Sequence, residues 1–215
     1  MSLQLKNLLL VLHDKTLIES FSLEIAEGEV VTLMGPSGSG KSSLLSYIAG
    51  DLGAPFTGTG EIVLNNQTLN STPPQNRNIG RLFQDDLLFP HMTVAENLLF
   101  ATPRGPRSER QAMMKTALTR AELEGFEHRA PHTLSGGQRT RISLMRSLLA
   151  RPQAMLLDEP FNKLDRDLRG TIRDYTFAHL KSRNVPTLLV THDLHDAPAK
   201  GRIFAISKYG EIKHV

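Results

Sequence analysis

The chain contains no cysteine, which removes disulfides, thiolate zinc sites and cysteine nucleophiles together and leaves any chemistry to oxygen and nitrogen. That composition suits a reducing cytosol. Nowhere does an apolar run approach the roughly 20 residues needed to cross a bilayer. The opening Met1-Ser2-Leu3-Gln4-Leu5-Lys6 has no basic segment followed by an apolar one and a cleavage site, so a soluble, unsecreted chain is expected. Internal repeats, low-complexity tracts and long linkers are also missing. What is there, 215 residues with 40% hydrophobic and 22% charged side chains, is enough to bury the core of one domain, or of one with a subdivision.

Blocks of one charge are absent too. The net charge of +3 hides an asymmetry: residues 1–100 hold 5 Lys and Arg against 10 Asp and Glu, and residues 101–215 hold 20 against 12. The second half therefore has a basic surface. Its arginines are dispersed through helix-like sequence and never form a run of five or six, the usual pattern of a solvated face.

Hydrophobic patterning divides the chain into three stretches. Leu3–Leu12 and Leu17–Ile25 read as strands of an antiparallel sheet broken by the polar turn His13-Asp14-Lys15. Val30–Met34 is a β-branched apolar run that stops at glycine, Lys41–Ala49 follows with helical spacing, and Glu61–Leu64 resembles a further strand. In the middle, 93–101, 108–123 and 135–149 carry helical spacing. The last part alternates strands 154–157, 187–190 and 203–206 with helix-like 165–180 and 193–200, which predicts a largely parallel sheet covered on both faces.

Gly35-Pro36-Ser37-Gly38-Ser39-Gly40-Lys41-Ser42 fits G-x-x-x-x-G-K-[ST] between a predicted strand and a predicted helix. Glycines allow successive backbone N–H groups to converge on phosphate oxygens, and the helix that follows presents its positive end to the same anion. Lys41 would reach the β- and γ-phosphates and Ser42 would offer its hydroxyl to Mg²⁺, with Ser43 next in the first turn. Met155-Leu156-Leu157-Asp158-Glu159 is a buried-strand run ending in two acids, a poor place for charge without a cation nearby. Asp158 suits the Mg²⁺ side, and Glu159 suits a general base that deprotonates the attacking water.

Leu134-Ser135-Gly136-Gly137-Gln138 separates this chain from other phosphate-loop proteins, and with it the whole chain resembles the ATP-binding cassette (ABC) ATPases. Ser135 reads as a helix N-cap with exposed backbone donors, a second anion site. The resemblance implies an α/β fold: a P-loop NTPase core with a mostly parallel sheet, a flanking antiparallel β subdomain and an inserted helical subdomain. It implies one domain over 1–215, with the nucleotide-binding core and its β part in 1–85 and 152–215 and the helical subdomain in 86–151.

In the family, Ser135, Gly136, Gly137 and Gln138 face the γ-phosphate held by a second copy, so that two ATP are sandwiched in a head-to-tail dimer. Gln84, after Arg81-Leu82-Phe83, would contact Mg²⁺ and the attacking water. Asp165, closing Phe161-Asn162-Lys163-Leu164-Asp165, would pass information between the two sites. His192 in Thr191-His192-Asp193 would hydrogen-bond the γ-phosphate and hold Glu159. His192 and His195 with Asp193 and Asp196 also allow a transition-metal reading, but no ligand spacing completes it elsewhere and the phosphate sensor is the better fit. The region where many members stack an aromatic ring on adenine reads Leu10-Val11-Leu12-His13-Asp14. There either His13 stacks on the base or Leu12 offers apolar contact.

The stretch Ile79–Asn97 looks like its counterpart in bacterial importer ATPases for small solutes. This implies an ATP-hydrolysing subunit on the cytoplasmic face of the membrane, with ATP and Mg²⁺ as ligands. Its implied partners are a second copy, a separate permease and a solute-binding protein. Leu87, Leu88, Phe89 and Met92 would form an apolar groove for a helix of the permease. The competing class, a soluble ABC ATPase acting on nucleic acid or ribosomes, rests on the basic second half. Such proteins resemble tandem cassettes or carry a long coiled coil between the motifs, and neither feature is present.

Overall fold

The computed structural model describes residues 2–207 and 209–215 and contains two compact units. The first comprises the residues through Arg81, Gln153–Glu159 and Leu180–Val215, and the second Leu82–Pro152 with Pro160–His179.

Among the described residues ten strands and five α-helices follow in chain order: β1 (Leu3–Leu12), β2 (Lys15–Ile25), β3 (Val30–Met34), α1 (Lys41–Ala49), β4 (Phe56–Leu64), β5 (Gln67–Thr68), β6 (Ile79–Leu82), α2 (Val94–Ala101), α3 (Arg107–Arg120), α4 (Gly136–Leu149), β7 (Ala154–Asp158), α5 (Arg166–Ser182), β8 (Thr187–Val190), β9 (Ile203–Ile206) and β10 (Ile212–His214). The fold is the expected α/β one. A four-stranded sheet in the order β2-β1-β4-β5 is antiparallel throughout. A six-stranded sheet runs β10-β9-β3-β8-β7-β6, with β9, β3, β8 and β7 parallel and β10 turned back against β9.

Period-two alternation builds the antiparallel sheet. Leu3, Leu5, Leu8 and Leu10 of β1 and Ile18, Leu23 and Ile25 of β2 turn inward, joining Leu44, Leu45 and Ile48 of α1 in one core. Each such side chain contributes roughly 1.5–3 kcal/mol on burial. A bulge at Asn7, whose φ is 51°, shifts the pairing of β1 with β4 between Lys6 and Leu9. Opposite it stands Gly60 at φ 104°, a conformation that suits glycine, and a Cβ there would meet the Asn7 carbonyl at 2.6 Å. This explains why β4 begins at Phe56 and not at Glu61. The glycines at 58 and 60 are the positions where the Tyr47 ring and β1 approach the backbone.

The central strands β7 and β8 are buried along their whole lengths, as a parallel sheet covered on both faces requires. The helix expected over 193–200 is a correction: the structure has only a 3₁₀ turn at Leu194–Asp196. Asp196 is fully buried and accepts from the Thr191 hydroxyl at 2.9 Å, so the segment folds back on itself, and Pro198 follows two residues later.

In the second unit, α2 and α4 both begin with reciprocal capping boxes, Thr93 with Glu96 and Ser135 with Gln138. Fully buried Asn97 ties 89–93 to α2, accepting from the Phe89 amide and donating to the Phe89, Met92 and Thr93 carbonyls.

Candidate functional site

The sheet order explains the site. In β3, β8 and β7 the parallel register sets Leu33 beside Val190 and Val190 beside Asp158. The three segments that follow, 35–40, 191–192 and 158–159, therefore leave the same edge of the sheet, where ligands of open α/β folds bind. The first unit thus brings together Gly35–Ser43, Asp158, Glu159 and His192.

The loop from Gly35 to Gly40 closes on itself through a bond from the Ser39 amide to the Pro36 carbonyl, 3.3 Å. Gly40 caps α1 with no side-chain acceptor, so the first-turn N–H groups await another partner. The Ser39 hydroxyl is buried and has no hydrogen-bond partner. Lys41 is buried, and its Nζ donates to the Gly35 and Pro36 carbonyls at 2.8 and 2.7 Å. Desolvation pulls this ammonium below its ordinary pKa, against the attraction of Glu159 and Asp158. An orphan hydroxyl, uncapped amides and a buried cation fit a phosphate chain.

Asp158 closes β7 and is itself buried. Desolvation pushes its pKa up, opposed by a hydrogen bond from Ser42 and by the charge of Arg81. A buried carboxylate and a neighbouring hydroxyl are the oxygen-only donors that Mg²⁺ favours, so the residues present fit that ion. Because the ionised form is disfavoured in the folded chain, Asp158 subtracts stability at neutral pH, and the loss is relieved as pH falls through its folded pKa. Asp158→Asn is therefore expected to raise the melting temperature of the ligand-free chain by a few degrees while removing its response to Mg²⁺-ATP. A lower melting temperature would show that the carboxylate is not a net cost.

Glu159 sits at φ 48°, an uncommon backbone for a side chain and one concentrated at functional sites. Its amide donates to the Val190 carbonyl at 2.9 Å, which pins the turn, and its Oε1 lies 3.1 Å from His192 Nδ1. The 191–196 turn holds this imidazole: Thr191 Oγ1 bonds both the Asp193 amide and the Asp196 carboxylate. Among the described residues no group of three or more His, Asp or Glu side chains is placed to hold a metal ion, and the transition-metal reading of His192 and His195 gains nothing from the geometry. His13 stands in the turn between β1 and β2 at φ 51°, exposed.

The remaining sequence candidates belong to the second unit. Gln84 lies two residues beyond β6 and is exposed, its carbonyl accepting from Lys163 Nζ at 3.0 Å. Ser135 caps α4 by accepting from the Gln138 amide at 3.2 Å, and Gln138 Oε1 accepts from the Ser135 amide at 2.9 Å. Gly136 and Gly137, both half-buried, open that first turn, and Asp165 is exposed just before α5. Leu88 does not line a groove: it is buried, whereas Leu87 is 54% and Phe100 64% exposed. Sequence reasoning missed Arg146, which donates to the Leu87 carbonyl at 2.9 Å and to Asn97 at 3.2 Å. Its only sequence signal is an arginine on the apolar face of α4.

The comparisons agree with this geometry. The family model described as ABC transporter matches residues 18–162. The ABC transporter ATP-binding protein YnjD of Escherichia coli K12 is 44% identical over 207 residues, 96% of this chain and 95% of that one. The spermidine/putrescine import ATP-binding protein PotA of Nitrosomonas eutropha is 38% identical across 99% of this chain, which spans only 58% of its length. Among solved structures, the dimeric post-hydrolysis state of the ATP-binding cassette MJ0796 bound to ADP and Pi superposes with a TM-score of 0.85 at 32% identity, covering 99% of this chain and 97% of that one. This chain belongs to the ABC transporter family and is one of its ATPases.

Proposed function

We propose that two copies of this chain bind Mg²⁺-ATP between them, hydrolyse it and reopen, and that this cycle powers solute import through a separate membrane permease. The observation that carries the chemistry is the convergence of the phosphate loop, the buried Asp158 and the Glu159–His192 pair, 3.1 Å apart, at one sheet edge. Ser42 and Asp158 would hold Mg²⁺, which supplies charge neutralisation at the transferring phosphoryl group when bound. Lys41 exchanges the Gly35 and Pro36 carbonyls for phosphate oxygens. Glu159 takes the proton of the attacking water, and His192 keeps that carboxylate aimed while its ring faces the terminal phosphate. Gln84 would contact the ion and the water, and His13 or Leu12 the base.

Ser135, Gly136, Gly137 and Gln138 of a second copy would bind the γ-phosphate, with Asp165 nearby, and the dimeric MJ0796 cassette supports this assembly. Tighter binding of ATP to the closed dimer than to the open one would provide the work. No helix among the described residues is long and apolar enough to cross a membrane, and in this reading the chain works at the cytoplasmic face of the permease. The name of the PotA relative supports import, for which a solute-binding protein would deliver the cargo. Exposed Leu87, on a loop held by Asn97 and Arg146, is the natural contact for a permease helix.

The test is to tag the chain, solubilise native membranes in mild detergent and identify co-purifying proteins by mass spectrometry. A polytopic membrane protein is expected, lost from Leu87→Glu but not from wild type. Recovery of ribosomal or DNA-bound factors without any permease would leave the ATPase standing and remove transport.

A further inference from the structure

Arg81 is a cation that the phosphate chemistry leaves unused. It stands on β6 with its side chain only 10% exposed. One nitrogen, Nη1, donates to both carboxylate oxygens of Asp51 at 2.7 and 3.0 Å and to Ser46 Oγ at 2.9 Å, while Nη2 donates to the Ser42 carbonyl at 3.3 Å. Ser42 and Ser46 lie one turn apart on the same face of α1, and Asp51 follows the end of that helix. A single planar group therefore spans α1 from its first turn to beyond its last. Packing alone does not call for this, because an apolar side chain would fill the space without the desolvation that a buried ion pair incurs.

The turn so held carries Ser42, and α1 packs against β7, which ends at Asp158. In the sheet β6 is the neighbour of β7. Arg81 thus ties the α1 side of that contact to the strand next to the one that bears Asp158. We propose that Arg81 is a positioning residue for Mg²⁺: by fixing the Ser42 turn of α1 against β6, it sets the spacing of the Ser42 hydroxyl and the Asp158 carboxylate that receive the ion. The proposal rests on the reading of Ser42 and Asp158 as the Mg²⁺ pair.

Two variants test it. Arg81→Met removes every link, and Arg81→Lys keeps a charge for Asp51 but has no fork to reach Ser42 and Ser46 together. Two quantities are read: the Mg²⁺ concentration giving half-maximal turnover at saturating ATP, and the affinity for a fluorescent ATP analogue in Mg²⁺ and in EDTA. Removing groups that orient metal ligands costs about 10–100-fold in metal affinity. Half-saturation by Mg²⁺ is therefore expected to rise about tenfold in Arg81→Met and several-fold in Arg81→Lys, with less than about a twofold change in analogue affinity in EDTA.

Wild-type Mg²⁺ dependence in the variants overturns the proposal. So does an equal loss of analogue affinity with and without Mg²⁺, which would mean a generally loosened helix. If Arg81→Met does not fold, Arg81→Lys decides. A wild-type chain that binds and hydrolyses ATP without regard to Mg²⁺ would instead bring down the Ser42–Asp158 reading, and this proposal with it.

Discussion

Glu159→Gln is expected to lower ATP turnover by about 10²–10⁴-fold, the range that a positioned general base supplies, while ATP binding survives. The two effects separate because the substitution removes a proton acceptor without removing a phosphate ligand. Glutamine has the shape of glutamate and its Oε1 still accepts from a protonated His192 nitrogen, so the contact now 3.1 Å long is not forced open. The backbone bond from residue 159 to the Val190 carbonyl does not involve the side chain. Lys41 loses one of the two carboxylates that attract it, which leaves it freer to turn to phosphate. If two copies close over ATP, a site that binds but cannot hydrolyse accumulates the closed form. Light scattering after gel filtration in Mg²⁺-ATP should then show a dimer for Glu159→Gln and mainly monomer for Lys41→Ala. Unchanged turnover in Glu159→Gln would sink the assignment of the base, and slow turnover without a trapped dimer would sink the sandwich.

Local signals written over a few residues were readable before any coordinates. Ser135-Gly136-Gly137-Gln138 spells its own capping box, and Val30–Met34 followed by Lys41–Ala49 announces strand and helix through periodicity and the glycines between. The strand-end position of Asp158 followed from an apolar run ending in an acid. What escaped depends on partners distant in sequence. Residues 193–200 have helical composition, yet one buried bond between Thr191 and Asp196 turns the chain into a short loop that keeps His192 at the sheet edge. The strand read at Glu61–Leu64 in fact begins at Phe56, because nothing local reveals the Tyr47 ring and the Asn7 bulge that require small residues at Gly58 and Gly60. Leu88 reads as groove and is core, since apolar residues in a row do not say which face is covered. Nothing local to Arg81 announces the three partners on and beyond α1 that hold it. The left-handed backbone of Glu159 also has no sequence mark, and it decides where the base points.

The adjacent glycines of the α4 cap are expected to respond to alanine in opposite ways, and this second large effect probes the cap itself. Neither has a positive φ, so an alanine backbone is unstrained at both, and helix propensity alone would favour the change by about 1 kcal/mol. A Cβ on Gly137 would meet the Lys163 carbonyl oxygen at 2.7 Å. That contact is to backbone, so the 161–165 segment or the start of α4 must move, and overpacking of this kind costs about 1–3 kcal/mol. Gly137→Ala should therefore lower the melting temperature by several degrees. It should also cut turnover by about 10²-fold if the cap donors shift by about an ångström, because Asp165 and the Ser135 turn are displaced together. A Cβ on Gly136 meets nothing within 4 Å in a single copy. Gly136→Ala should keep or slightly raise the melting temperature, and any loss of turnover must then come from what approaches that face from outside. If ATP held by a second copy docks there, Gly136→Ala weakens the ATP-dependent dimer of a Glu159→Gln background without unfolding the monomer. An undiminished dimer would place the partner's phosphate elsewhere, and a stable, fully active Gly137→Ala would show that the 161–165 segment yields freely.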